Sequence, residues 1–473
     1  MPVSEAMRRV EREIDEHLEQ LPLWRCARDG VLKAALDYYR GVYEVILIES
    51  SSALANQNQE AFYILAQQLQ RFQAGFFQVL KWALTLCPEQ SKETFSHEMI
   101  HEVQELGSKY ETLVDALRLA KHDFFEIVVD EKAQRVTVYE GGDVTGADWG
   151  LVEQQRHTNL FHSHVPLTDD ADQLTTAWTA GAYRRTVAWL GNLTSDAQTD
   201  PVIFSLPSGV LVPLPHRPVI VGVPEPQDLQ LRAVLDDLTL NAAKLTGSQL
   251  GRHVSWLDTP LVAVGAERLG PSDLLLALAI IGRDDHMLRL AAAVDVAQYV
   301  KVSGLREGRM IERCREVLEG EGWMVHPGYL LRDPPREIDV YAIRDGLHLV
   351  LELKSTLRPE APWEVYKRND DILAGIAQAQ VARDRIGSGA TGAVITDGYR
   401  GDYSTWHLAT ERQIPIGTLE DIPDIARNPH QMLELLQTRV GFDAAPPEGA
   451  PFERSCDLMG WTIRIVDSPV PSG

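Results

Sequence analysis

Cysteine is scarce in this chain: Cys26, Cys87, Cys314 and Cys456 lie far apart in 473 residues, with no CxxC pair. That spacing argues against a disulfide framework or a cysteine zinc site and fits reduced, structural thiols. Long apolar runs are also missing. The best, Phe76–Leu86 broken by Lys81 and Leu274–Ile281, fall far short of the ~20 residues that a membrane span needs. The opening MPVSEAMRRVEREIDE is charged and helical in pattern without the apolar stretch of a secretion signal, so a cytoplasmic protein with no membrane partner is expected. Positive charge is in deficit too, 45 Lys plus Arg against 68 Asp plus Glu for a formal net charge of −23. Taken as a whole, such a chain is a poor nonspecific binder of nucleic acid, because phosphate contacts are made by Lys and Arg.

What is present is a globular composition, 44% hydrophobic and 24% charged, over a length that allows roughly three domains. Residues 1–125 carry apolar side chains at three- and four-residue spacing, notably in Ala34–Ile48, Phe62–Leu86 and Ile100–Leu119, and predict an all-α helical bundle. The period changes at Phe124, where FFEIVV, DEKAQ and RVTVYE read as strand, turn and strand. From 126 to 299 the pattern is α+β: a helix around Leu174–Trp189, strands at Val202–Phe204, Val210–Val212 and Val219–Val223, and a helix at Leu229–Leu245. Residues 300–430 form a third unit, and 431–473 a Pro- and Gly-rich tail ending in a strand at Trp461–Val466.

The chemistry concentrates in EIDVYAIRDGLHLVLELKS, Glu337 to Ser355. Ile338–Ile343 and Leu347–Leu353 alternate as strands, and Asp345-Gly346 is the dipeptide that a two-residue hairpin favours because both positions take positive φ. Pairing Arg344 with Leu347 sets a register that brings Asp339 opposite Glu352, with Cβ atoms about 4.5–5.5 Å apart. Leu347, Leu349, Leu351 and Leu353 then share one face, and Glu352 and Lys354 the other. Opposed carboxylates destabilise a fold unless something neutralises them, and two carboxylates with a backbone carbonyl are the hard oxygen ligands of Mg²⁺, with Mn²⁺ as an alternative. Lys354 would stand beside the attacking water. The same register sets Glu337 opposite Lys354 as its partner. The plain alternative is a surface hairpin with a solvated charged face.

Asp339 followed by Glu352-Leu353-Lys354 resembles the PD-(D/E)xK superfamily of restriction-endonuclease-like nucleases, over about 130 residues, with Ile338 in place of the family's proline. The resemblance implies a C-terminal α/β domain with an αβββαβ core, phosphodiester hydrolysis, normally of DNA, and a metal held by Asp339, Glu352, the Leu353 carbonyl and a helix glutamate. Glu312, in the Gly-x-x-x-Glu opening of helix Gly308–Glu319, matches that glutamate, and Glu316 competes with it. The family's site glutamine falls on Gln378 or Gln380 in helix Ile372–Ile386. Strands at Thr391–Thr396 and Ile414–Leu419 would complete the core. For DNA contacts the candidates are Arg358, Lys367, Arg368, Arg383, Arg385 and Arg400, with Trp363 and Tyr366 nearby. Paired cuts imply a homo-oligomer, and the N-terminal region is expected to sense a protein or nucleic-acid trigger, to oligomerise or to restrain the nuclease, as in bacterial antiviral defence. The acidity does not oppose this. Residues 301–427 hold 17 basic and 21 acidic side chains, so most of the excess negative charge lies outside the nuclease segment.

Two other readings compete. A non-catalytic DNA-binding or scaffolding protein would retain the fold without the metal. A zinc hydrolase would use His97 and His101, which spell HExxH, or His162 and His164, whose HSH resembles the core of JAMM-type zinc isopeptidases with Val165 for proline and Thr175 where an aspartate is expected. Asp169, Asp170 and Asp172 are nearby acids. An ordinary helix or strand end carrying two histidines is simpler in both cases. Gly387-Ser-Gly389-Ala-Thr-Gly392 spells GxGxxG but follows a helix and precedes a strand, the reverse of the dinucleotide-binding order, and reads as a connection.

Overall fold

The computed structural model describes residues 3–55, 59–119, 125–140, 167–196, 201–205, 211–215, 219–245, 259–281, 284–332, 335–355, 362–440 and 453–466. The chain divides into two compact units, Met1–Tyr139 with Asp170–Val296 and Glu453–Val466, and Ala297–Phe452 with Glu140–Asp169 and Asp467–Gly473. This differs from the four consecutive segments read from the sequence, because the ends of segments cross over. No helix among the described residues is long and apolar enough to cross a membrane.

The first unit opens with helices α1 (Val3–Leu18), α2 (Arg28–Ala55), α3 (Gln59–Leu86) and α4 (His97–Leu119). Apolar spacing explains their packing: Met7, Val10, Ile14 and Leu18 recur on one stripe of α1 and are all buried. Trp82 of α3 is fully buried and meets Trp24 and Tyr110 edge-on, with ring centroids 6.1 and 5.2 Å away. The hairpin β1 (Phe125–Asp130) and β2 (Arg135–Glu140) does not start a separate domain. It is completed by the tail, whose strands β14 (Glu453–Leu458) and β15 (Trp461–Val466) give a sheet of order β1-β2-β15-β14, with β15 parallel to β2. Trp461, Ile463 and Ile465 are buried, so the tail returns to cover an apolar face that the hairpin alone would leave wet.

The rest of that unit holds α5 (Ala180–Asp196), the hairpin β3 (Pro201–Ser205) and β4 (Leu211–Pro215), and a four-stranded sheet of β5 (Ile220–Val223), β6 (Thr239–Leu240), β7 (Leu261–Val264) and β8 (Glu267–Pro271) in the order β5-β8-β7-β6. The helix read over 229–245 stops early. Helix α6 (Leu229–Asp237) starts on the Asp228 cap, whose carboxylate accepts from the Gln230 and Leu231 amides, and Thr239 and Leu240 leave it to pair with Leu261 and Val262. Helices α7 (Ser272–Ile281) and α8 (Asp284–Val294) close the unit.

The second unit is a mixed sheet between helices. Its elements run α9 (Val296–Gly320), β9 (Met324–Leu331), β10 (Arg336–Arg344), β11 (Leu347–Lys354), α10 (Pro362–Ile386), β12 (Ala390–Thr396), α11 (Tyr403–Arg412), β13 (Ile416–Thr418), α12 (Ile422–Arg427) and α13 (Met432–Val440). The sheet order is β13-β12-β11-β10-β9, antiparallel through β9, β10 and β11 and parallel through β11, β12 and β13. One core joins Met310, Cys314 and Leu318 of α9 to Leu349, Leu351 and Leu353 of β11 and to Ile372 and Ile376 of α10. Each fully buried leucine contributes about 1.5–3 kcal/mol. The Leu167 side chain joins this core, and Arg309 of α9 holds the Leu167 carbonyl at 2.8 Å and the Asp169 carboxylate at 2.8 Å.

Two phenol–carboxyl pairs lie inside the first unit. Tyr39 of α2 donates to Asp273 of α7 at 2.6 Å, and Tyr110 of α4 to Asp15 of α1 at 2.6 Å. Burial dominates both acids, pushing Asp273 up to about 7 and Asp15 to about 6. The folded chain therefore keeps the Asp273 proton up to about pH 7, while an unfolded carboxyl releases it near its ordinary 3.8. Its contribution to stability is complete below the ordinary value and is lost as pH rises through the folded one. Asp273→Asn keeps an acceptor for Tyr39 without a titration, so its melting temperature should fall less steeply than the parent's between pH 4.5 and 7. Parallel melting curves over that range would contradict the assignment.

Candidate functional site

The hairpin of β10 and β11 turns on Asp345 and Gly346, whose φ angles of 52° and 78° are both positive. Its ladder runs from Arg344–Leu347 to Val340–Leu351 and ends there. Beyond it the strands are joined through a side chain, since the Leu353 amide donates to Asp339 Oδ2 at 2.7 Å. Asp339 thus occupies the place of a ladder carbonyl, with its position fixed by the backbone of the neighbouring strand. On the other side, the pairs Ile338–Tyr329 and Val340–Pro327 flank Gly328, which has a φ of 60°. Strand β10 also changes the face it presents here. Val340 and Ala342 pack in the core with Leu349 and Leu351, whereas Ile338 clusters with Tyr341, Val350 and Ala382 of α10.

Glu352 is 4% exposed, and its Oε1 is buried with no hydrogen-bond partner among the described residues. Burial first, and the neighbouring Asp339 charge second, push its carboxyl up to about 7; Lys354 and Arg336 pull the other way, and a hydrogen bond with Asp339 adds to the rise. Lys354 leaves the same face of β11 and donates from Nζ to Gln378 Oε1 of α10 at 2.7 Å. Its stem passes under Gly375: a Cβ there would lie 3.0 Å from Lys354 Cε and 3.2 Å from Val394. The glycine lets helix and lysine approach. A buried carboxylate oxygen without a donor, beside a second carboxylate, fits a divalent cation by donor chemistry. Among the described residues no three His, Cys, Asp or Glu form a metal-binding group, so these two acids are what the side chains offer.

The other expected residues divide. Gln378 is at the site, but Gln380, about 200° further round α10, accepts from Arg412 instead. Met310, Cys314 and Leu318 set the inward stripe of α9, so Glu312 falls on the exposed side and pairs with Arg315, as Glu316 does with Arg313 at 3.3 Å. The α9 residue near Asp339 is Cys314, whose thiol is pushed up to about 12 by burial and by the Asp339 charge. Glu337 pairs with Leu330 and lies beside Gly328, and Lys354 is held by Gln378. Leu353 contributes its amide to Asp339 and a buried side chain to the core.

Of the basic candidates, Arg383 binds the Arg412 and Gln413 carbonyls at 2.8 and 3.2 Å, Arg385 binds the Arg332 carbonyl, and Arg400 binds Thr418 and Asp421. Through these contacts the three side chains also tie parts of the fold together. Lys367 is exposed and Arg368 half-buried on α10. Arg358 lies outside the described residues, as do the side chains of Trp363 and Tyr366. His97 and His101 are exposed at the start of α4, where His101 Nδ1 is 2.7 Å from the Tyr38 hydroxyl. His162 and His164 lie outside the described residues; Asp169 and Asp170, the acids near them, pair with Arg309 and Arg184.

Two features were not anticipated. Arg336, the first residue of β10, bears on Glu352. Arg306 of α9 forms an ion pair with Asp397, both side chains being almost fully buried, and Ser355, next after Lys354, donates to Asp397 at 3.4 Å. Only a three-residue interval from Asp339 in the sequence hints at the first, and nothing local hints at the second.

Without metal, ionised Glu352 faces Asp339 at high pH. Because its folded pKa lies above the ordinary 4.5, the site is most stable below that value and loses this contribution as pH rises through about 7. Glu352→Gln should therefore melt above the parent at pH 8 in EDTA, with the gap closing toward pH 4.5. Mg²⁺ should raise the parent's melting temperature and leave the variant's unchanged; equal metal shifts would exclude Glu352 as a ligand.

No family model matches the chain, and no curated protein matches it. Among solved structures, the crystal structure of protein VC1899 from Vibrio cholerae is similar at 10% sequence identity, covering 70% of this chain and 73% of that one, with a TM-score of 0.19, too low to carry an argument.

Proposed function

We propose that the second unit is a metal-dependent DNA endonuclease that hydrolyses phosphodiester bonds. The observation that carries this reading is the joining of two carboxyls, one of them buried with an unmet oxygen, to a lysine on the same strand whose ammonium is held by Gln378 at 2.7 Å. Asp339 and Glu352 would hold Mg²⁺ or Mn²⁺. The cation supplies charge neutralisation at the phosphate and acidifies the attacking water. Asp339 is kept in place by the Leu353 amide, so the carboxylate need not reorganise when substrate arrives. Lys354, oriented by Gln378 and confined under Gly375, offsets the charge that grows on the phosphoryl oxygens. The products would be a 5′-phosphate and a 3′-hydroxyl.

The test is cleavage of supercoiled plasmid in Mg²⁺ or Mn²⁺ by the full chain and by Lys354→Ala. Removing a charge aimed at the transition state should slow cleavage on the order of a hundredfold or more. Equal activity in the two preparations would sink the reading. We further propose that the first unit senses a trigger or restrains the nuclease in antiviral defence. Bacteria expressing the parent should then resist some phages of a panel better than cells expressing Glu352→Ala; identical plaque counts throughout would count against the role.

A further inference from the structure

The change of face at Asp339 also moves the residues before it. Arg336 shares its parity with Ile338, and Ile338 packs on the α10 side of the sheet with Tyr341 and Val350. On β11, Val350, Glu352 and Lys354 alternate onto that side. Arg336 is therefore placed on the same side of the sheet as Glu352, and its influence on that carboxyl agrees with this placement. Its Nε is buried and has no hydrogen-bond partner among the described residues. On the facing helix, Arg368 lies two turns before Gly375 and so on the same stripe, the stripe that covers Lys354. The Arg368 Nε is likewise buried without a described partner.

A guanidinium has five donors and cannot accept, so its N–H groups need oxygen acceptors, of which anionic ones bind most strongly. Among the described residues neither arginine forms an ion pair, although the charge of one of them bears on Glu352. The planar fork suits the two non-bridging oxygens of a phosphodiester. We propose that Arg336 and Arg368 form a clamp for a backbone phosphate of the bound strand, one from the sheet and one from the helix, on either side of Lys354. This rests on the nuclease reading for the identity of the ligand as DNA. It adds a strand residue that motif spacing did not single out.

The test is fluorescence anisotropy of a short labelled duplex with the full chain in Ca²⁺, over a range of salt concentrations, using Arg336→Ala, Arg336→Lys and Arg368→Ala. Each alanine variant should weaken binding roughly fivefold to tenfold and lower the slope of log affinity against log salt by about one. Arg336→Lys keeps the charge, so it should keep the slope while losing part of the affinity, and it guards against a misfolded alanine variant. Alanine variants with the parent's affinity and slope would overturn the clamp, and so would a parent that does not bind the duplex. Cleavage of plasmid by the parent but not by Lys354→Ala, measured on the same preparations, judges the nuclease reading separately. Weakened binding without any cleavage leaves the clamp and removes the nuclease; intact cleavage with unchanged binding does the reverse.

Discussion

Two carboxyl groups are held together in a poorly hydrated place, and the second unit is arranged around that strain. Left to itself the pair would separate or stay protonated, and Glu352, lifted to about 7, shows how near it stands to the second outcome. Separation is prevented by the strand ladder. A positive-φ turn fixes the register, three buried leucines of β11 fix which face is inward, and the Leu353 amide fixes the Asp339 carboxylate. Lys354 and Arg336 reduce the repulsion without removing it. Such a site is bought with stability that the apolar core must supply, the usual relation between a preorganised centre and the scaffold that carries it.

How much of this could be read from the residues depends on how local each determinant is. The hairpin was legible because Asp345-Gly346 and the alternation of β11 are contiguous signals, and its ladder has the expected pairs from Arg344–Leu347 to Val340–Leu351. The end of the ladder was not legible. Whether Asp339 continues the pleat or fills a gap in it depends on Gly328 of β9 and on the residues of β11 and α10 against which Ile338 packs, none of them adjacent to Asp339 in the sequence. Glu312 is placed by a related rule: a motif interval counts residues, but the phase of a helix is set by what it buries, and here Cys314 is inward while Glu312 is exposed. The same rule separates Gln378 from Gln380.

The first unit shows the opposite balance. Its helices follow from their periodicity, but its polar interior does not. Tyr39 with Asp273 and Tyr110 with Asp15 join residues from distant parts of the sequence, and no spacing rule predicts that a helix will offer a phenol where another offers an acid. A buried carboxyl without a donor is costly, so each pair also specifies which helix faces meet. The helix read over 229–245 ended at Asp237 for the same kind of reason, since Thr239 and Leu240 found a strand to pair with.

The parallel pairing of β15 with β2 has a further meaning for how the chain is made. Residues 297–452 emerge from the ribosome before 453–466, so every strand of the second unit's sheet can be in place while the first unit still lacks half of one of its sheets. Domains generally fold as they are synthesised, from the N-terminus onward. Here the later domain is the first that can be finished, and the earlier one waits with an open strand edge on β2. That edge is the kind of surface a chaperone would be expected to guard during synthesis.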